Sequence, residues 1–139
     1  MQQDIISLNE KIAAEIPPGY AQFDVGPETR ELIAKKIGAY ISESKKSADK
    51  FTMFYNGVFG KFEDPCYEAG TRGFIALLKE MTQAGISCYV GGGEGRLALI
   101  KYGSLADVTH AFTAGGTILK SLSNRHIAFL KAMYLQNSR

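Results

Sequence analysis

Two hydrophobic rhythms alternate along the chain. Short unbroken apolar runs end in glycine, and each glycine cluster is followed by apolar residues spaced three and four apart. The run 51–55, F-T-M-F-Y, predicts a strand buried on both faces, because aromatic and β-forming residues follow one another without polar alternation. It breaks into Asn56-Gly57, and Gly60, Phe62 and Glu63 follow. The run 86–90 predicts a second strand leading into Gly91-Gly92-Gly93-Glu94, and 108–112 a third leading into Thr113-Ala114-Gly115-Gly116. Between these runs the period is that of a helix. Ile5, Leu8, Ile12 and Ile16 predict a helix over 4–16 that Pro17-Pro18-Gly19 stops. After an extended stretch at 20–25, Gly26-Pro27-Glu28 opens a helix with the stripe Ile33, Ile37, Tyr40 and Ile41, ending in a polar connection at 42–50. Asp64 and Pro65 read as cap and first turn of another, with Gly70, Phe74, Leu77, Leu78 and Met81 on one face and Gly85 at its end. A shorter helix follows at 95–102. Ile118, Leu119 and Leu122 mark a turn of helix after Gly116, with Thr113 as its cap, and Ile127, Leu130 and Tyr134 mark a last helix at 125–135. Strands alternating with helices predict an α/β unit with a parallel sheet.

The placement of the glycines adds chemistry to this pattern. In open parallel sheets ligands bind just beyond the carboxyl ends of the strands. Glycine lets a backbone approach a ligand closely, and helix N-termini favour anions. Three strand–glycine–helix units in register point to a small ligand bearing phosphate.

Composition narrows the classes. A chain of 139 residues with 45% hydrophobic and 22% charged residues forms one domain with an ordinary core. A net charge of +2 with scattered Lys and Arg argues against nucleic acid as a partner. No apolar run reaches membrane-spanning length, so no membrane association is expected. The acidic residues Asp4 and Glu10 fit neither a secretory signal nor a transit peptide, which suggests a cytoplasmic setting. Cys66 and Cys88 lack metal-ligand spacing and read as reduced packing thiols. His110 reads as a mid-strand histidine satisfied by the core or facing a loop, and His126 as a surface residue.

Four motifs resemble a known family. Ile16-Pro17-Pro18-Gly19-Tyr20 with Asp24-Val25-Gly26-Pro27-Glu28-Thr29 resembles the I-P-D-G-W and D-I-G-P-x-T segments of phosphoglycerate kinases. The stretch 54–63, F-Y-N-G-V-F-G-K-F-E, resembles their W-N-G-P-x-G-V-F-E. Gly91-Gly92-Gly93-Glu94-Gly95 is similar to G-G-G-D-T or G-G-G-D-S, and His110-Ala111-Phe112-Thr113-Ala114-Gly115-Gly116 to H-x-S-T-G-G-G. Order and spacing agree over 20–123, between an N-terminal helix and proline stop at 1–19 and a terminal helix at 124–139.

The resemblance implies a three-layer, Rossmann-like unit, the trailing half of the family's nucleotide domain, binding ADP or ATP with magnesium. Carried over position by position, it implies that Asn56, Gly57 and Gly60 line the nucleotide pocket and Glu63 holds the ribose hydroxyls. Gly91, Gly92, Gly93 and Glu94 would face the phosphates, with Glu94 orienting the magnesium–nucleotide complex. Gly115 and Gly116 would open the helix that stabilises the phosphoryl group in flight. Three departures weaken this picture. Gly95 lacks a phosphate-binding hydroxyl, Val58 replaces a stiffening proline, and the Cβ of Ala114 is expected to conflict with the backbone angle of the glycine it replaces. The motifs of the phosphoglycerate-binding domain and the glycine–lysine phosphate loop are not found in these residues. The resemblance therefore implies a catalytically incompetent relative with a weakened nucleotide pocket. Its rivals are an interaction protein that has lost the ligand and a fragment or subunit of a working kinase. In the family the strand matching 51–55 is expected to be central, so a homo-oligomer or a partner chain pairing at that strand's edge is also expected.

Overall fold

The computed structural model describes residues 21–48 and 50–123. The helices expected at 4–16 and 125–135, and His126, lie outside the described residues. The order is α1 (Pro27–Ser44), β1 (Thr52–Asn56), α2 (Ala69–Gln83), β2 (Ser87–Gly91), α3 (Gly93–Tyr102), β3 (His110–Ala111) and α4 (Gly115–Leu122), with 3-10 turns at Pro65–Tyr67 and Leu105–Asp107. The strands form a parallel sheet in the order β1-β2-β3, with Phe54 opposite Tyr89 and Tyr89 opposite His110.

Helix α2 is the centre of the packing. Its fully buried side chains Ile75, Leu78 and Met81 meet Cys88 and Val90 of β2 and Ala98 and Leu99 of α3 in one cluster. Each such side chain contributes roughly 1.5–3 kcal/mol by leaving water. Phe74 of α2 lies 4.6 Å from the Tyr55 ring, centroid to centroid, while Gly95 of α3 sits against Val90. Tyr55 and Val90 are register partners, so α2 and α3 cover the same sheet face, one layer of the three predicted from the sequence. Helix α1 packs beside α2.

Several boundaries differ from the sequence reading, each for a local reason. Strand β1 is not buried on both faces. Tyr55 is buried beneath α2, Met53 and Phe54 are half-buried, and Thr52 is exposed. The second and first strands each run one residue further than expected, because Asn56 pairs with Gly91. The third is only two residues long. Thr109 interrupts it with its side chain: its Oγ1 accepts from the Cys88 N–H at 3.0 Å, where a ladder carbonyl would stand. Asp64 caps the 3-10 turn, its Oδ1 accepting from the Cys66 N–H at 3.0 Å, and does not cap α2. Helix α1 extends to Ser44, and α3 begins at Gly93, two residues before the expected start at 95.

The start of α2 is held instead by Asp24, whose Oδ2 accepts from the Gly70 N–H at 2.8 Å. A carboxylate there complements the helix dipole. Gly70 has to be glycine, since a Cβ would stand 2.3 Å from Asp24 Oδ1. At the next residue, the fully buried Thr71 closes on the loop after β1: its Oγ1 accepts from the Phe59 N–H at 3.0 Å and donates to the Phe59 carbonyl. The Tyr55 hydroxyl is buried beside this pair without a partner of acceptable geometry. Burial pushes its pKa from 10.0 to about 12, against the opposing influence of Thr71 and the Phe59 backbone.

These contacts predict two substitutions with opposite signs. Thr71→Val leaves the Phe59 N–H buried without its acceptor and costs about 1–3 kcal/mol in urea unfolding. Tyr55→Phe keeps or raises stability at neutral pH. It also removes an alkaline loss, because the unfolded state gives up the tyrosine proton near pH 10 whereas the folded state holds it to about 12, so stability present below pH 10 declines through that window. Equal destabilisation by both substitutions would contradict this assignment.

Candidate functional site

The carboxyl ends of the three strands meet above the sheet, where Asn56 is the hub. The Gly57 N–H reaches the Gly91 carbonyl at 3.4 Å, holding β1 and β2 together one residue past the ladder. The Asn56 side chain then runs across the strand ends. A Cβ at Gly91 would lie 2.6 Å from Asn56 Oδ1 and 2.8 Å from the Phe54 ring. A Cβ at Gly115 would lie 2.4 Å from the same oxygen and 3.0 Å from the Gly92 backbone.

The candidate glycines therefore separate by cause. Gly91 and Gly115 admit the asparagine. Gly57, Gly60 and Gly92 adopt φ of 101°, 62° and 90°, which other residues rarely adopt. Gly93 and Gly116 open their helices with nothing near them. Gly95 is buried, and a Cβ there would meet the Gly57 carbonyl and Val90 Cγ1, both at 3.1 Å, so the loop after β1 occupies the space of the missing hydroxyl. Ala114, in contrast, causes no conflict. Its φ of −115° suits any residue, which corrects the expectation of strain. Ala114, not Thr113, is the N-cap of α4, and no side chain caps that helix.

Glu63 and Glu94 come together beside this hub. They line one open cavity of about 420 Å³ with Gly60, Lys61, Val58 and Phe23. Lys61, Phe23, Val58 and Gln22 are the cavity residues that the sequence reading missed; Lys61 and Val58 lay inside a quoted motif, but as departures from its consensus. Gly60 fixes the wall: a Cβ would stand 2.1 Å from the Phe23 carbonyl, and the Lys61 N–H donates to that carbonyl at 2.8 Å. The loop carrying Glu63 is anchored from below. Phe62 is buried, and its carbonyl accepts from Lys101 Nζ at 2.9 Å and from the Tyr102 hydroxyl at 2.7 Å. Glu94 stands in the first turn of α3. Asn56, Gly57, Gly91, Gly92, Gly93, Gly115 and Gly116 belong to the hub and the helix starts and do not line the cavity.

Among the described residues no cluster of three or more His, Cys, Asp or Glu could hold a metal ion. The exposed carboxylate of Glu94 fits magnesium that arrives on a phosphate, since that ion keeps several waters and binds through one or two carboxylates plus the ligand's phosphates. His110 is exposed, its ring edge-on to Phe112 at 4.5 Å, and not satisfied by the core. Cys88 is buried, and burial pushes its thiol pKa up, whereas Cys66 is exposed and not a packing residue.

Comparison with known proteins gives one consistent result. A family model described as "Phosphoglycerate kinase" matches residues 2–125. The phosphoglycerate kinase of Fervidobacterium nodosum is 31% identical over 112 residues, covering 81% of this chain and 26% of that protein. That of Rhodococcus erythropolis is 34% identical over 114 residues, with the same two coverages of 81% and 26%. The cytosolic phosphoglycerate kinase of Nicotiana tabacum is 30% identical over 127 residues, covering 90% of this chain and 29% of that one. The solved structure of phosphoglycerate kinase from Coxiella burnetii superposes with a TM-score of 0.60 at 30% identity, over 76% of this chain and 24% of that chain. The chain thus spans about a quarter of the length of the relatives it matches.

The hub predicts a coupled pair. Gly115→Ala should destabilise by about 1–3 kcal/mol through overpacking. Adding Asn56→Ala should recover part of that loss, a coupling of at least about 0.5 kcal/mol in a double-mutant cycle followed by urea unfolding. Strict additivity would remove Asn56 from the contact.

Proposed function

This chain belongs to the phosphoglycerate kinase family, and on that premise we propose that its 139 residues form a unit binding ADP or ATP with magnesium, without phosphoryl-transfer activity of their own. The observation that carries the reading is the placement of Glu63, Glu94 and Lys61 on one cavity beyond the strand ends. A carboxylate such as Glu63 accepts from both hydroxyls of a ribose. Glu94 offers an oxygen to a metal carried by the phosphates. Lys61 supplies a positive charge to the phosphate chain. Gly93 and Gly116 leave helix starts open, where backbone N–H groups attract anions.

The inactivity has a physical basis. Phosphoryl transfer is mostly positioning and charge neutralisation, so a unit without an acceptor site gains nothing from holding the nucleotide. The matched residues make up 26% of the relative from Fervidobacterium nodosum, and the motifs that would bind phosphoglycerate are not among these residues. The same coverage leaves room for the role of one subunit in a working kinase. A different observation favours a protein that keeps the scaffold and has lost the ligand: Asn56 and Gly95 are both explained by packing within the hub, with no nucleotide required. For the compartment we infer the cytosol, on the likeness to the cytosolic relative of Nicotiana tabacum. No helix among the described residues is long and apolar enough to cross a membrane.

Calorimetry with magnesium-ADP tests the reading. Binding should be weak, and Glu63→Ala should weaken it about ten- to hundredfold, as expected for a lost hydrogen bond to a charged group. An unchanged affinity in that variant would overturn the pocket assignment, and no heat at all would favour the ligand-free scaffold. In a coupled assay the chain should give no turnover of ATP with 3-phosphoglycerate above a protein-free blank.

A further inference from the structure

The geometry points to Lys101 and Tyr102 as positioning residues for Glu63: they lock the peptide plane that aims its carboxylate at the cavity, and so tie it to the helix that carries Glu94. Glu63 sits in a turn. The Asp64 N–H donates to the Lys61 carbonyl at 3.0 Å, which closes the chain over 61–64 with Phe62 and Glu63 at the corners. The near end is tied as well, since the Lys61 N–H donates to the Phe23 carbonyl at 2.8 Å. Neither bond involves the central peptide, which joins the Phe62 carbonyl to the Glu63 N–H. In β-turns that peptide is the free element, because types I and II differ in the angles on either side of it. A peptide unit is planar, so the direction of the Phe62 carbonyl carries the Glu63 N–H with it and governs where the Glu63 side chain leaves the turn.

Two donors from the last turn of α3 hold that carbonyl. Lys101 Nζ stands at 2.9 Å and the Tyr102 hydroxyl at 2.7 Å. A carbonyl oxygen has two lone pairs, so both are used. The donors are themselves held. The buried Phe62 ring meets the Tyr102 ring edge-on at 6.4 Å. Lys101 Nζ lies 4.9 Å from the centre of the Tyr102 ring. Glu68, the residue before α2, turns Oε2 toward both, 3.0 Å from the Tyr102 hydroxyl and 3.6 Å from Lys101 Nζ. A partly exposed ion pair of this kind adds little stability. Its effect here is orientation, because it keeps the ammonium beside the carbonyl.

One helix therefore sets both cavity carboxylates. Glu94 and Lys101 lie seven residues apart on α3, two turns, so they project from one face about 10 Å apart along the axis. The loop after β1 runs beside this helix, from Gly57, whose carbonyl lies against Gly95, to Phe62. Glu94 is placed by the first turn of α3 and Glu63 by the last. The consequence for a ligand rests on the nucleotide reading above: a nucleotide touching both carboxylates meets them at a preset spacing and does not have to order the loop.

Two readouts on the full chain decide it. Backbone nitrogen-15 relaxation needs no ligand. The order parameter at Glu63 should be that of rigid backbone, about 0.85, in the wild type and fall below about 0.6 in Lys101→Met/Tyr102→Phe, with a smaller fall in Tyr102→Phe alone. Lys101→Arg keeps a donor and should retain the wild-type value. The second readout is the Kd of magnesium-ADP from an amide-shift titration. Tyr102→Phe, which keeps the ring against Phe62, should weaken binding about two- to tenfold, the range of one hydrogen bond. In a Glu63→Ala background the same substitution should leave the affinity unchanged, because the hydroxyl acts through Glu63, whereas a merely structural contact would weaken both alike. An order parameter at Glu63 indifferent to these substitutions, or equal weakening with and without Glu63, would overturn the proposal. If the wild-type chain binds no magnesium-ADP, the pocket reading fails by itself, and the relaxation result still decides whether Lys101 and Tyr102 hold Glu63.

Discussion

The structure depends on the burial of α2 against the sheet. Parallel strands cannot be joined by a tight turn, so the chain passes from β1 to β2 through this crossover helix, and the core beneath it holds the ladder between them in place. Ile75, Leu78 and Met81 supply that core, and Asp24 fixes the first turn of the helix through Gly70. Once α2 is in place, Thr71 fastens the loop after β1 and Phe74 packs on Tyr55. The loop that carries the candidate site therefore has its shape set from the helix side, before any ligand is considered.

From that constraint follows the division of labour above the sheet. The glycines that resemble a phosphate cradle are mostly engaged within the protein. Two admit Asn56, three supply positive φ, and Gly93 and Gly116 carry neither constraint. The charged candidate residues lie to one side, where Glu63, Glu94 and Lys61 share a cavity walled by Gly60 and Phe23. A glycine-rich motif and its ligand contacts need not coincide, since a fold is inherited more readily than the site grafted on it.

Much of this was legible in the sequence. The α/β class followed from the alternation of apolar runs and helical stripes, and the joint placement of Gly60, Glu63 and Glu94 followed from their position after strands in motifs resembling phosphoglycerate kinases. What could not be read was decided by side chains competing with the backbone. Thr109 takes a ladder position with its hydroxyl and shortens β3, and Asp64 caps a 3-10 turn because Asp24, forty-six residues before the Gly70 it holds, already serves α2. The single-sided burial of β1 was hidden as well. Phe51, Met53, Phe54 and Tyr55 read as a doubly covered strand, yet only Tyr55 lies fully beneath a helix. Lys61 escaped notice because an isolated lysine carries no pattern until Gly60 turns the chain toward Glu63.

The most direct test of the central claim, a nucleotide site beside the Asn56 hub, is an amide chemical-shift titration of the chain with magnesium-ADP. The account predicts saturable shifts confined to 57–63, 92–96 and 114–117. Shifts absent at all concentrations, or gathered instead on the groove between α1 and α2 near Arg30 and Glu80, would contradict it.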